Sequence, residues 1–172
     1  ASSTSSLSIT ALGGMTKRPQ LVVGMHFMNP VPAMPLVEIV RGDHTSDETI
    51  TAATNLARRW GKTPVQVRDV PGFIINRVTL PFYLEALRLL GEDAADAETI
   101  DRIARAGGFP KGPFESLDQI GLDEHLSVTQ SIYNAFFQEP RYRPHPLQKR
   151  MVDAGLCGQK TGRGFFKYGK NS

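Results

Sequence analysis

Apolar and polar positions change period several times along the first third of the chain. Residues 21–28 and 36–40 are brief runs containing Val or Ile, bounded by Pro, Gly and Asp, and they predict strands. Between 41 and 62 the pattern becomes helical, with Ile50, Ala53, Ala57 and Trp60 recurring at helical intervals. Thr45 and Glu48 stand at capping-box spacing ahead of it, and Gly61 is placed to stop it. Residues 65–68 predict a third short strand.

At Asp69-Val70-Pro71-Gly72 the punctuation is strong and the composition changes, which places a domain boundary between 1–68 and 69–172. Residues 73–90 are apolar on nearly every side, the pattern of a helix buried in a core or an oligomer interface, and Pro81 inside it should bend it. Further helices are predicted at 96–106, ended by Gly107-Gly108, at 122–138 and at 147–154. Phe109-Pro110-Lys111-Gly112-Pro113-Phe114 reads as a loop, and 158–164 as a Gly-rich turn before Phe165-Phe166-Lys167-Tyr168. The expectation is an α/β segment followed by an all-α segment, mainly α-helical overall.

Three strands and one helix do not close a doubly wound sheet, which in dinucleotide-binding proteins has about six strands and a Gly-rich turn after the first. No Gly-x-Gly-x-x-Gly follows a predicted strand; Gly162-Arg163-Gly164 has Phe165 to Lys167 behind it instead of a third glycine. The α/β segment therefore reads as the tail of a larger domain.

Composition narrows the classes. A chain of 172 residues with 40% hydrophobic and 22% charged residues is that of a globular protein. A net charge of +3 is too small an excess to argue for nucleic acid, and no apolar run approaches the roughly 20 residues that span a bilayer. The one cysteine, Cys157, excludes an intrachain disulfide and fits a reducing compartment; with no basic, apolar leader in Ala1 to Ser6, a cytoplasmic location is expected. His26, His44, His125 and His145 are scattered without ligand spacing, so no metal site is expected.

Two strand positions carry candidate chemistry. His26 and Glu38 each lie in or at the end of a predicted strand, and neighbouring parallel strands would bring such positions together. A carboxylate on one imidazole nitrogen fixes the tautomer and leaves the other nitrogen free as a base. The competing reading is a histidine at a strand end and a solvated glutamate. Asn76, in the first turn of an apolar helix, could satisfy free backbone groups there, and a hydroxyl of the serine run around Ser5 could cap the segment beginning near Leu7.

Gly24-Met25-His26-Phe27-Met28-Asn29-Pro30-Val31-Pro32 and Pro71-Gly72-Phe73-Ile74-Ile75-Asn76-Arg77 resemble, in residues and in spacing, the two signature stretches of 3-hydroxyacyl-CoA dehydrogenases. Ser2-Ser3-Thr4-Ser5-Ser6-Leu7 and Gly158-Gln159-Lys160-Thr161-Gly162-Arg163-Gly164-Phe165 agree as well, so the resemblance covers essentially the whole chain, with Ser3 where the family commonly has asparagine. The resemblance implies a C-terminal part of such an enzyme: the remnant of a Rossmann-type NAD-binding domain at 1–68, then an all-α dimerisation domain at 69–172. It implies His26 as catalytic base with Glu38 as its partner, Ser5 and Asn76 on the substrate, and Ser5 and Asn29 towards NAD, whose main binding motif is missing. It further implies an acyl-CoA substrate and a homodimer, with no role for nucleic acid or membrane. Two alternatives stand beside it: a non-catalytic helical dimerisation module, and part of a multifunctional fatty-acid oxidation protein.

Overall fold

Val37, Ile39 and Val40 are fully buried, and the strand that carries them, β2 (Leu36–Arg41), is the middle of a three-stranded sheet. The structure is a computed structural model and describes residues 1–169. It divides into two compact units, one from Ala1 to Arg77 and one beginning at Val78. In the first, β2 lies antiparallel to β1 (Gly24–Phe27) and parallel to β3 (Thr63–Arg68). Side chains alternate between the faces of a strand. Val23, Met25, Val37 and Ile39 therefore pack on Ile50, Ala53 and Ala57 of α2 (Asp47–Arg59). Val40 and Val67 pack with Phe73 and with Ile9 of α1 (Ile9–Gly14) in a second cluster.

Several expectations change here. The run 21–28 yields a strand only over Gly24–Phe27, because Pro19–Leu21 forms a 3-10 turn. Strands β1 and β2 are antiparallel where parallel neighbours were expected; the connection 28–35 is too short for the crossover that parallel pairing needs. Helix α2 is capped by Ser46, whose hydroxyl accepts from the Thr49 amide, and not by Thr45. The Thr45 hydroxyl is used elsewhere, donating to the Val22 carbonyl at 2.6 Å and accepting from the Gly42 amide. Helix α1 was not foreseen, since six residues give too little periodicity to read.

The second unit is helical, with α3 (Ile75–Gly91, its first turn in the first unit), α4 (Ala97–Ala106), α5 (Pro113–Ile120), α6 (Leu122–Ala135) and α7 (Pro146–Asp153). Pro81 lies within an unbroken α3. The stretch 109–114 is only partly loop, because Pro113 opens α5, where proline's fixed φ and missing N–H suit the first turn. No described helix is long and apolar enough to cross a membrane.

Two buried aspartates organise this unit through backbone amides. Asp101 of α4 accepts from the Phe114 and Glu115 amides, both at 2.9 Å, and so caps α5 from outside it. Asp118 of α5 accepts from the Phe165 and Phe166 amides at 2.9 Å and the Tyr168 hydroxyl at 3.0 Å. The Gly-rich turn exists for this contact: a Cβ on Gly164 would stand 1.9 Å from Asp118 Oδ1, and one on Gly158 2.2 Å from the Asp118 carbonyl oxygen.

A third buried polar group has its tautomer fixed by its neighbours. The Gln148 amide nitrogen donates to the Leu122 carbonyl at 2.9 Å and lies 2.9 Å from His125 Nδ1, which must then accept and leave the ring proton on Nε2. Burial lowers the His125 pKa to about 4.

Two outcomes are expected. Gly164→Ala should destabilise the protein by roughly 1–3 kcal/mol, the range for an overpacked site; an unchanged thermal melt would show that the Asp118 turn tolerates a methyl group. An unfolded histidine is protonated below about 6.5 and His125 only below about 4, so the stability it confers is full above 6.5 and falls as pH drops towards 4. The loss is on the order of 3 kcal/mol. Denaturant unfolding of the protein and of His125→Gln should differ in pH slope across that window, and parallel slopes would refute the buried neutral ring.

Candidate active site

Antiparallel pairing sets His26 of β1 directly opposite Glu38 of β2. Directly opposed residues share a face with Cβ atoms about 5 Å apart, close enough for an imidazole and a carboxylate to touch. His26 Nδ1 and Glu38 Oε2 are 2.7 Å apart, a distance characteristic of a charge-assisted hydrogen bond. Both residues are removed from solvent, His26 being 4% and Glu38 1% exposed. The competing reading of a solvated glutamate does not hold for a side chain so deeply enclosed.

The second oxygen of Glu38 is also committed. Oε1 accepts from the Ile74 amide at 2.9 Å and the Ile75 amide at 3.1 Å, backbone donors at the start of α3, where a helix turns its first amides outward to acceptors beyond itself. Burial pushes the Glu38 pKa up, but the hydrogen bonds from His26 and the two amides outweigh it and hold the carboxyl below its ordinary range. An ionised carboxylate only accepts, so His26 Nδ1 carries a proton and Nε2 is the basic nitrogen of the neutral ring.

One short stretch, Asp69 to Asn76, touches every part of this arrangement. Gly72 (φ 75°) and Phe73 (φ 51°) turn the chain through the left-handed region. That conformation costs a non-glycine residue about 1 kcal/mol or more. The turn buries Phe73 to 2% exposure, its ring 5.4 Å from that of His26, and leads into the two amides on Glu38. Asn76 follows, and its Nδ2 donates to the Ser5 carbonyl at 3.1 Å. Its expected work at the helix start is done by Glu38, and Asn76 instead reaches a segment distant in sequence. Asp69 takes the Ser8 hydroxyl at 2.7 Å, the Ile9 amide at 3.0 Å and the Thr10 amide at 2.7 Å.

Ser5 is thus held through its backbone. Upstream, Ser2 bridges to β1, with its amide on the Val23 carbonyl and its carbonyl on the Met25 amide. Thr4 closes a local turn by accepting from the Leu7 amide at 2.9 Å, and Ser8, not Ser5, caps α1. Asn29 lies exposed just after β1, with a cis bond to Pro30, and does not join the hydrogen-bonded group. The Lys62 ammonium braces the loop that follows Asn29, donating to the carbonyls of Val31 and Met34.

The structure therefore brings His26 to Glu38 and Asn76 to Ser5, and leaves Asn29 apart. Sequence reasoning missed Asp69, Phe73 and the amides of Ile74 and Ile75. Asp69-Val70-Pro71-Gly72 was visible only as punctuation, and nothing local pointed to partners some 60 residues upstream. No Gly-rich turn after a strand, of the kind that cradles a dinucleotide's phosphates, is found among the described residues. At Gly162-Arg163-Gly164 the Asp118 carboxylate packs against Gly164 and takes the Phe165 amide.

Two family models match in chain order: "3-hydroxyacyl-CoA dehydrogenase, NAD binding domain" over residues 1–70 and "3-hydroxyacyl-CoA dehydrogenase, C-terminal domain" over residues 72–168. The chain therefore carries sequence of both the NAD-binding and the C-terminal domain. It is 47% identical over 169 residues to a probable 3-hydroxybutyryl-CoA dehydrogenase of Deinococcus radiodurans, covering 98% of this chain and 60% of that one. It is 42% identical to the mitochondrial hydroxyacyl-coenzyme A dehydrogenase of Sus scrofa, covering 98% and 54%. Among solved structures, the (S)-3-hydroxybutyryl-CoA dehydrogenase of Ralstonia eutropha matches with a TM-score of 0.91 at 46% identity, over 97% of this chain and 59% of that chain. The chain thus spans about 60% of the length of the first of these relatives. With domain models matched along nearly all its length, the chain belongs to the 3-hydroxyacyl-CoA dehydrogenase family.

Proposed function

We propose that this chain is the acid–base and substrate-positioning part of an NAD-dependent 3-hydroxyacyl-CoA dehydrogenase, an enzyme that oxidises the 3-hydroxyl of an acyl-CoA to the 3-keto group. The observation that carries the reading is the buried His26–Glu38 pair, whose geometry leaves one imidazole nitrogen basic. In this reading His26 Nε2 takes the proton of the substrate hydroxyl, and Glu38 stabilises the imidazolium that results. Ser5 and Asn76 hold the substrate's reacting oxygens, and Ser5 and Asn29 face the nicotinamide. NAD, when bound to the whole enzyme, accepts the hydride; no phosphate cradle for it is found among the residues described.

Residues 1–68 are read as part of a Rossmann-type NAD-binding domain and residues 69–172 as the helical domain of the family. The partner proposed for the helical domain is a second copy of the same protein, a reading supported by the exposure of Val78 and Leu89 on α3. The close packing of Asp118 on Gly164 favours a companion reading of the isolated polypeptide, that it holds its acid–base pair without turning over. NADH oxidation with acetoacetyl-CoA, assayed on this chain and on a full-length enzyme containing it, tests both, and turnover in the full-length enzyme alone is the expected result.

Two substitutions test the pair in the full-length enzyme. His26→Gln should lower kcat on the order of 100- to 10,000-fold, the usual contribution of a general base; retained turnover would remove His26 from the chemistry. Glu38→Gln should also lower turnover, and it should change acid stability in a defined sense. The folded pKa of Glu38 lies below 4.5, so the stability given by its charge is present above about pH 4.5 and lost as pH falls through the folded value. Glu38→Gln should therefore be the less stable protein at neutral pH and lose less stability on acidification below 4.5. Matching unfolding curves would mean that the charge on Glu38 contributes nothing.

A further inference from the structure

The segment carrying Ser5 is short, polar and tied down at separate points. Thr4 turns it locally, Asn76 holds the Ser5 carbonyl, and Asp69 grips the residues that follow. The Asp69 carboxylate takes three donors in this work: Oδ2 takes the Ser8 hydroxyl and the Thr10 amide, and Oδ1 takes the Ile9 amide. Its own backbone is fixed, since the Asp69 amide donates to the Arg41 carbonyl at the end of β2. Helix α1 has only six residues, well below the length at which a helix persists without outside contacts. Without Asp69 the amides of Ile9 and Thr10 lose this acceptor, leaving the Ser8 hydroxyl on the Ala11 amide as the side-chain cap of α1.

We propose that Asp69 is a positioning residue for Ser5: by clamping the first turn of α1 to the end of β3, it sets where the Ser5 hydroxyl stands. Asp69 touches neither substrate nor cofactor in this scheme and acts only through the backbone between Ser5 and Thr10. Because Asn76 lies seven residues beyond Asp69 on a stretch that also delivers Phe73 to His26 and two amides to Glu38, the clamp references Ser5 to the same frame as the base. The proposal rests on the reading of Ser5 as a substrate-holding residue, and its test separates the two.

The test is a double-mutant cycle in the full-length enzyme, following acetoacetyl-CoA reduction with Ser5→Ala, Asp69→Asn and the pair. Asp69→Asn should lower kcat on the order of 10- to 100-fold, the scale of a small misplacement of a positioned group. Combined with Ser5→Ala it should add less than about two-fold, because the hydroxyl it serves is already gone. Losses that multiply, or an Asp69→Asn enzyme with wild-type kcat, would overturn the proposal while leaving the reading of Ser5 intact. A silent Ser5→Ala would instead remove the reading on which the proposal rests, and the proposal with it. Amide hydrogen exchange on the chain itself, which requires no turnover, should accelerate at Ile9 and Thr10 in Asp69→Asn and stay slow in β2. Unchanged protection at those two amides would count against the clamp. If Asp69→Asn does not fold, Ser8→Ala removes one of the three contacts, and the same cycle decides: a few-fold loss that vanishes in the Ser5→Ala background supports the proposal, and one that multiplies overturns it.

Discussion

Burying an ionised carboxylate is unfavourable by several kcal/mol unless donors replace the water it loses. Glu38 is such a group, and three donors meet it: the imidazole of His26 and the amides of Ile74 and Ile75. Each donor imposes a constraint. The imidazole fixes the register of β1 against β2, since a one-residue slip would send His26 to the opposite face of the sheet. The amides fix where α3 begins and require the left-handed passage at Gly72 and Phe73 that aims them. The same three bonds that make the charge tolerable settle the tautomer of the histidine, so that holding the strands and helix together and orienting the imidazole are a single interaction.

The device recurs through the chain. Asp69 receives the start of α1, Asp101 the start of α5, and Asp118 the amides at the C-terminal turn. In each case an acidic side chain on one element satisfies backbone amides of another, at a helix start or a tight turn where those amides have no local partner. Short helices joined by Gly- and Pro-rich turns leave many such ends, and a carboxylate can accept from two or three at once. The close approach of Gly112 to Asp101, where a Cβ would fall 2.1 Å from Cγ, and of Gly164 to Asp118 gives those glycines a steric reason.

The parts that could be read in the sequence were those written in local pattern. The periodicity at 41–62 and 122–138 gave helices close to α2 and α6, and the Gly-rich turn was recognisable at 158–164. What failed depended on contacts distant in sequence. Strands β1 and β2 were expected to run parallel, although the brevity of their connection carried the correct answer. Thr45 was taken for a cap because spacing alone cannot show that its hydroxyl is drawn to Val22. The roles suggested for His26, Glu38, Ser5 and Asn76 came from resemblance. From pattern alone the acidic residue at position 38 was as compatible with solvent as with burial, and only the pairing of His26 with Glu38 shows why the two belong together.

All the contacts that define the acid–base pair arise within Ala1 to Arg77: the imidazole, the carboxylate, the two amides, the phenyl ring against the histidine, and the clamps on the Ser5 segment. None of these bonds uses a phosphate-binding turn. The pairing of His26 with Glu38 is thus fixed by strand register and by the start of α3, all within one compact unit.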